Sequence, residues 1–257
     1  MHNVGDLAFL FGVETLALGF VVLGVLRGTF RRYLYLYLYT AGLLACDAIR
    51  AVALRGYGLR SNEYFFAYFG SDFCLVVLKY LAIISIFEVI LRESPLRTQA
   101  RLAFLFLFGL VAAMSYAFIS HLVISKETLF FKRLTVELQQ NMYFASVVLT
   151  ALMCVTLAHL RLKEPQLRAL VAGLGMSGAL QASGWALQNL ASKDHFHALW
   201  GVVRYIPPAA TFTMLAIWCY ALTSLPASAA DEAEARQRER EESLVLSPVL
   251  ARVGVRG

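Results

Sequence analysis

The chain has 257 residues, of which 59% are hydrophobic and 16% charged, and its mean hydropathy is +0.64. Soluble domains are about half apolar and a quarter charged, so this composition argues against a soluble globular protein and favours a polytopic membrane protein. The net charge of +6 does not indicate nucleic-acid binding, because the basic residues form short clusters between apolar segments. The lipid bilayer is the first partner that the sequence predicts.

Seven apolar segments are long enough to span a bilayer, which takes about 20 mostly apolar residues. They are Leu7–Leu26, Leu34–Leu54, Tyr64–Leu91, Leu102–Ile124, Asn141–Leu160, Ala169–Leu190 and Leu199–Leu225. The first segment lacks a basic n-region, so we expect a retained helix and not a cleaved signal peptide. The predicted fold is an all-α membrane protein, a seven-transmembrane-helix bundle formed by residues 1–225.

The basic residues between the segments predict the orientation of the bundle. The first, third and fifth connections and the tail together carry 14 lysines and arginines, whereas the other connections carry six. By the positive-inside rule, the N-terminus lies outside and the C-terminus in the cytoplasm. The expected location is a bacterial-type inner (plasma) membrane.

Two segments near the spans have more than one interpretation. Tyr33–Tyr39 alternates tyrosine with leucine, as a strand does, but a strand would leave its backbone unpaired in lipid. We therefore predict a helix whose first tyrosines lie in the interfacial aromatic belt, with a tyrosine cage for a ligand as the alternative. Ser125–Gln140 is the longest outer connection, and it fits either an amphipathic helix on the membrane surface or a loop over the bundle.

Residues 226–257 differ in composition from the rest of the chain. Pro226 is expected to end the last span, and Asp231–Glu242 is a dense run of mixed charge. Such a segment forms a short helix or a disordered cytoplasmic tail. Docking of a cytoplasmic protein partner is its functional interpretation.

Lys79 is the strongest functional signal, because it lies in the middle of the third apolar segment. A charged side chain at the bilayer centre costs about 3 kcal/mol on translocon scales, so it needs partners or a use. Asp72 lies two turns earlier on the same helical face, and Asp47 and Arg50 are spaced to pair on the second helix. The predicted topology collects three acidic and three basic residues in the outer half or at the midplane, namely Glu14, Asp47, Arg50, Asp72, Lys79 and Arg204.

This charge-balanced set has two interpretations. It can be a polar staple that holds helices together, or it can line an outward-facing cavity around Asp47, Asp72 and Lys79 for a small polar ligand or a proton path. Asp72 is too far along the helix to touch Lys79, so a water or a carboxylate from Asp47 or Glu14 is expected to bridge. Near the cytoplasmic end, Glu88 is expected to pair with Arg92, one turn later.

The last two predicted helices carry further signals. Small residues at four-residue spacing in helix six, such as Gly175–Ala179–Ser183, predict close packing, either internal or in a homo-oligomer. Gln181, Gln188 and Asn189 give the same helix a polar edge. In helix seven, Pro207 and Pro208 remove backbone donors and are expected to kink the helix beside Arg204.

The sequence does not match a retinal photoreceptor, a bis-histidine haem protein or a cysteine metal site. A retinal-type photoreceptor needs a lysine in its last helix, whereas the membrane lysine here is Lys79 in the third. His121 and His159 lie at opposite membrane faces, which excludes a bis-histidine haem, and the cysteines have no metal-binding spacing. We predict no cofactor, metal or catalytic residue. The predicted function is a non-catalytic receptor-like module or a complex subunit; the alternatives are a small-solute or proton-coupled transporter and, third, an intramembrane enzyme.

Overall fold

The computed structural model of the protein describes residues 4–92, 94–122, 127–160, 164–193, 203 and 205–224, and of these the side chains of 4–10, 122, 127–129 and 189–193 are not described. These residues form seven α-helices and one short 3-10 turn at Thr29–Arg31, and they contain no strand. The helices are α1 (Val4–Leu26), α2 (Leu34–Tyr57), α3 (Asn62–Ile90), α4 (Arg97–Leu122), α5 (Glu127–His159), α6 (Pro165–Lys193) and α7 (Ile206–Ser224).

Five of these helices are long and apolar enough to cross a membrane: α2, α3, α4, α7 and the part of α5 from Phe130. The described side chains of α1 form a shorter apolar stretch, Phe11–Leu26. Buried polar side chains such as Ser177 and Gln181 make α6 less apolar than the other helices. Helices of this length and composition indicate a membrane-embedded protein.

Six helices close into a ring in the order α1, α2, α3, α5, α6, α7, and α7 returns to α1. Helix α4 lies outside the ring against α3 and α5. The ring interior is apolar and aromatic, with Phe20, Met153, Leu170 and Trp218 almost fully buried. The Trp218 Nε1 donates to the Leu170 backbone oxygen at 3.1 Å, which joins α7 to α6.

The α2–α3 hairpin fixes the register of the polar residues. Gly58 adopts a φ of 79°, which favours glycine and ends α2. Ser61 then caps α3 by accepting a hydrogen bond from the Tyr64 backbone N–H at 3.0 Å. Because the turn is short, the two helices run antiparallel and residue 50 of α2 lies opposite residue 72 of α3.

The tyrosine–leucine repeat is helical, as predicted, but most of its tyrosines belong to the core. Tyr33, Tyr37 and Tyr39 are buried, and only Tyr35 is exposed. The Tyr37 ring stacks on Phe20 at a centroid distance of 4.8 Å, and its hydroxyl lies 2.7 Å from the Thr29 Oγ1. The Tyr33 side chain is thus covered by protein, and its expected position in the interfacial belt stays a prediction.

Gly24 makes room for this packing, so Gly24→Ala is expected to lower the thermal stability of the protein in detergent. A Cβ at Gly24 would overlap the ring of Tyr37, which its stacking and its hydroxyl contact hold in place. Overpacking of this kind costs roughly 1–3 kcal/mol. The matched control is Gly19→Ala in the same helix, where a Cβ meets nothing within 4 Å. Equal melting temperatures for the two variants would contradict the proposed tight contact.

Helix α5 begins at Glu127, and the predicted span begins later in the chain, at Asn141. From Glu127, the predicted surface segment Ser125–Gln140 is helical and continuous with the span. No glycine or proline interrupts residues 127–159, so the helix has no reason to stop at the membrane surface. Its first turns pack on the bundle, with Phe131 against Phe66 at a centroid distance of 5.9 Å.

The small residues of α6 serve internal contacts. A Cβ at Gly175 or Gly178 would come within 2.8 Å of a side chain of α5, and one at Gly173 would come equally close to an indole nitrogen of α7. In the predicted stripe Gly175–Ala179–Ser183, Ala179 and Ser183 are exposed. The packed face of α6 therefore does not follow this four-residue spacing. A homo-oligomer through this outer face stays a prediction.

The prolines of the last helix mark its start. Helix α7 begins at Ile206, so Pro207 and Pro208 occupy its first turn, where backbone N–H groups have no intrahelical acceptor. Val203 is also helical, and the expected kink involves residues before Tyr205 that lie outside the described ranges, so the kink stays a prediction. Arg204 and the tail, residues 226–257, lie outside the described residues.

Candidate functional site

Arg50 organises a polar cluster between α2 and α3. Its Nη2 donates to the Asp72 Oδ1 at 2.6 Å, and its Nε donates to the Ser71 Oγ at 2.6 Å. The Asp47 Oδ1 lies farther away, 3.7 Å from Nη1, and the Tyr68 ring centroid is 4.8 Å from the guanidinium carbon. The guanidinium can satisfy several acceptors at once because its donors point in fixed, divergent directions.

A groove between α1 and α2 lies beside this cluster. Its volume is about 440 Å³, and its lining consists of Glu14, Thr15, Leu18, Leu44, Asp47, Ala48 and Ala51. The groove opens at the outer surface of the bundle, since Leu18, Ala48 and Ala51 are exposed. Its size and its mixture of apolar and carboxylate groups suit a small molecule.

Negative charge exceeds positive charge around the groove. Among the described residues, three carboxylates, those of Glu14, Asp47 and Asp72, accompany the guanidinium of Arg50, which gives these four side chains a formal charge of −2. Over the residues that the structure describes, no cation pairs with Glu14. Excess negative charge among apolar helices is costly, so this imbalance favours a bound cation or a proton.

Lys79 lies apart from these carboxylates, in the interior of the ring. Its Nζ donates to the Gln181 Oε1 at 2.7 Å and lies 3.4 Å from the Ser177 Oγ, both on α6. It also lies 4.8 Å from the centroid of the Tyr143 ring on α5. The residue is only 5% exposed, and none of the ion pairs within the described ranges includes it.

Tyr143 of α5 lies against Lys79. One face of its ring carries the Lys79 ammonium, and its hydroxyl accepts a hydrogen bond from the Gln139 Nε2 at 2.8 Å. The contacts of Lys79 thus join α3 to α5 and α6, and those of Arg50 join α2 to α3.

The structure brings together part of the predicted set. Asp47, Arg50 and Asp72 form one cluster, and Glu14 shares the groove with Asp47. The described groups that accept from Lys79 are neutral side chains of α6 and not the carboxylates of Asp47 or Glu14, and a bridge to Asp72 through water stays a prediction.

Sequence reasoning also missed four contributors, namely Tyr68, Ser71, Tyr143 and Ser177. One signal was available: Ser177 and Gln181 are four residues apart, and therefore lie on one face of a helix.

The opposite end of α3 carries a separate ion-pair group. The Glu88 carboxylate lies 3.5 Å from Arg97 Nη2 and 3.3 Å from Arg101 Nε, both in the first turns of α4. The local partner expected for Glu88 was Arg92, so the structure adds two partners from the next helix. This group joins α3 to α4 and is distant in sequence from the groove.

Comparison of the chain with protein-family models, with curated proteins and with solved structures finds no match.

Proposed function

We propose that the chain is a seven-span membrane protein with its N-terminus outside and its charged tail in the cytoplasm, where the tail meets a protein partner. In this proposal it is a non-catalytic, receptor-like module that binds a small amphiphilic cation in the α1–α2 groove. The observation that supports the ligand is the excess of negative charge at the groove, where the described cation, Arg50, faces the carboxylates of Asp47 and Asp72, and Glu14 adds a third carboxylate on the groove wall. The apolar lining and the lateral opening fit the hydrophobic part of such a ligand.

Asp47 is the group best placed to receive the ligand. Arg50 makes its two shortest contacts to α3, at 2.6 Å each, and holds Asp47 only at 3.7 Å. A primary ammonium in the groove can therefore pair with Asp47 and Glu14 while Arg50 keeps its bonds to Asp72 and Ser71. Cationic ligands and carboxylates form charge-assisted hydrogen bonds, which are stronger than neutral ones.

The same arrangement supplies a route for a signal. A ligand that pairs with Asp47 changes the charge that the Arg50 guanidinium faces, and Arg50 bonds Asp72 on α3, the helix that also carries Lys79. Ligand binding in the groove is then coupled to the contacts between α3, α5 and α6. Two arrangements with different ligand affinities are sufficient for such coupling.

The buried residues of α3 give less support to a transporter. A permease needs polar groups that continue beyond Lys79 toward the cytoplasmic end. The buried residues of α3 beyond Lys79 are almost all apolar or aromatic: Tyr80, Ala82, Ile83, Ile84, Ser85, Ile86, Phe87 and Ile90. We therefore rank the receptor-like function first.

Octylamine is a suitable probe, and we expect it to raise the melting temperature of the purified protein in a maltoside detergent. Octanol is the neutral control, because it has the same apolar chain without the charge. In Glu14→Gln/Asp47→Asn the effect of octylamine should fall sharply, since losing a charged contact weakens binding about tenfold for each 1.4 kcal/mol. Intrinsic tryptophan fluorescence during heating provides the readout.

Glu63→Gln is the matched control variant, because Glu63 is exposed in the first turn of α3 and lies outside the groove lining. It should respond to octylamine like the unmodified protein. Equal stabilisation by octanol and octylamine, or an undiminished octylamine effect in the double variant, would rule out the groove as a cation site.

A further inference from the structure

Exposed arginines gather at the end of the bundle where α2 begins and α3 ends. The antiparallel α2–α3 hairpin brings those two points together, and the Arg32–Glu164 ion pair at 2.7 Å adds the start of α6. The Arg27 Nη2 donates to the Thr223 backbone oxygen at 2.8 Å, which adds the end of α7. The exposed residues of this arginine end are Arg27, Arg31, Arg92, Arg97, Arg101 and Arg168.

Acidic residues do not balance this charge. In the described part of the arginine end, the acidic residues are Glu88 and Glu164, and each already pairs with arginine. The end therefore carries a strong positive excess in that part of the chain. A surface of this kind is complementary to an anionic leaflet.

Arg97 and Arg101 are the pair best suited to a phosphate group. Their side chains are 51% and 59% exposed, and both contact Glu88 at distances longer than tight charge-assisted bonds, 3.5 and 3.3 Å. Each guanidinium carries five N–H donors, so most of its donors stay available. Guanidinium and phosphate match each other in bidentate geometry.

The surface of α4 next to these arginines suits the acyl chains of the same lipid. Helix α4 lies outside the ring, and Leu102, Leu105 and Phe106 are exposed on it. Leu105 follows Arg101 by four residues, so a charged group and an apolar group lie one above the other on one helical face. Head-group and chain contacts thus follow each other along α4.

We propose that the arginine end docks the headgroups of anionic phospholipids, with Arg97 and Arg101 as the principal binding pair. This inference is independent of the groove and of its ligand. Glu88 acts in it as a competing intramolecular anion, which an approaching phosphate must displace or share.

Native mass spectrometry of the full-length protein in detergent tests this docking surface. With equimolar phosphatidylglycerol and phosphatidylcholine, we expect at least a threefold excess of phosphatidylglycerol adducts. Arg97→Gln/Arg101→Gln should bring the ratio close to one. Arg55→Gln/Arg60→Gln, which removes two exposed arginines at the opposite end, should leave the excess unchanged.

Glu88→Gln separates lipid binding from a loss of fold. It frees both arginines, so it should increase the phosphatidylglycerol excess, whereas a merely structural role for the ion pairs predicts no increase. The proposal is overturned if the unmodified protein retains both lipids equally, if the two double variants lose the excess to the same extent, or if Glu88→Gln lowers it.

Discussion

Gln181→Leu is expected to lower the stability of the protein by about 2–4 kcal/mol. The substitution removes the 2.7 Å acceptor of Lys79 Nζ and leaves the amine with the Ser177 Oγ at 3.4 Å and the Tyr143 ring. An unsatisfied amine in a 5% exposed position is costly, because no water replaces the lost partner. Thermal unfolding in detergent, followed by intrinsic fluorescence, measures the loss.

The companion variants test the cause. Lys79→Met removes the costly group itself and should reduce stability by a smaller amount, through the loss of the α3–α6 hydrogen bond. The double variant Lys79→Met/Gln181→Leu should be more stable than Gln181→Leu alone, since two apolar groups then face each other. Gln188→Leu is the control on the same helix, because Gln188 is half-buried and contacts neither Lys79 nor the cluster. Additive losses in the double variant would show that the two side chains act separately.

These variants also distinguish the two roles that the sequence allowed for Lys79. In the structure the amine joins α3 to α6 and contacts α5, and it does not line the groove. This arrangement supports the interpretation that Lys79 holds helices together. The proposed ligand site lies in the groove at Glu14 and Asp47. A loss of octylamine stabilisation in Lys79→Met with unchanged stability would reverse that assignment.

Arg50→Leu is expected to have the second large effect, a loss of about 2–3 kcal/mol of stability. Removing one partner of a buried ion pair costs roughly 3–5 kcal/mol, and the value is reduced here because the Asp72 and Asp47 side chains are 17% and 27% exposed. The substitution leaves both carboxylates without a cation and Ser71 without its donor. Thermal unfolding of the purified protein gives the measurement.

Three further variants define the role of Arg50. Arg50→Leu/Asp72→Leu should recover much of the loss, because the uncompensated charge at Asp72 disappears. Arg50→Lys should recover only part, since an ammonium lacks the planar fork that reaches Asp72 and Ser71 together. Arg55→Leu, an exposed arginine later in α2, is the control and should be close to neutral. A loss in Arg55→Leu equal to that in Arg50→Leu would contradict a specific cluster.

Local rules explain how well the sequence predicted the first helices. The predicted spans Leu34–Leu54 and Tyr64–Leu91 agree with α2 and α3 to within three residues at each end, because Gly58 and Ser61 mark the turn between them. Helix α5 begins 14 residues before the predicted span Asn141–Leu160, since hydropathy detects where the chain is apolar and the helix continues beyond that point. Helix ends thus follow backbone signals and not the membrane surface.

The sequence by itself determined the membrane character, the helical class and the charged residues that lie within apolar helices, because these depend on composition and on contacts within one helix. The Asp47–Arg50 contact belongs to this group, since three residues separate its partners. Only the tertiary structure decided that Arg50 bonds Asp72 on the facing helix, and that Lys79 reaches a glutamine 102 residues later. The physical reason is that these partners depend on the order of the helices around the ring and on the reach of long side chains. Neither can be predicted from the sequence pattern within one helix.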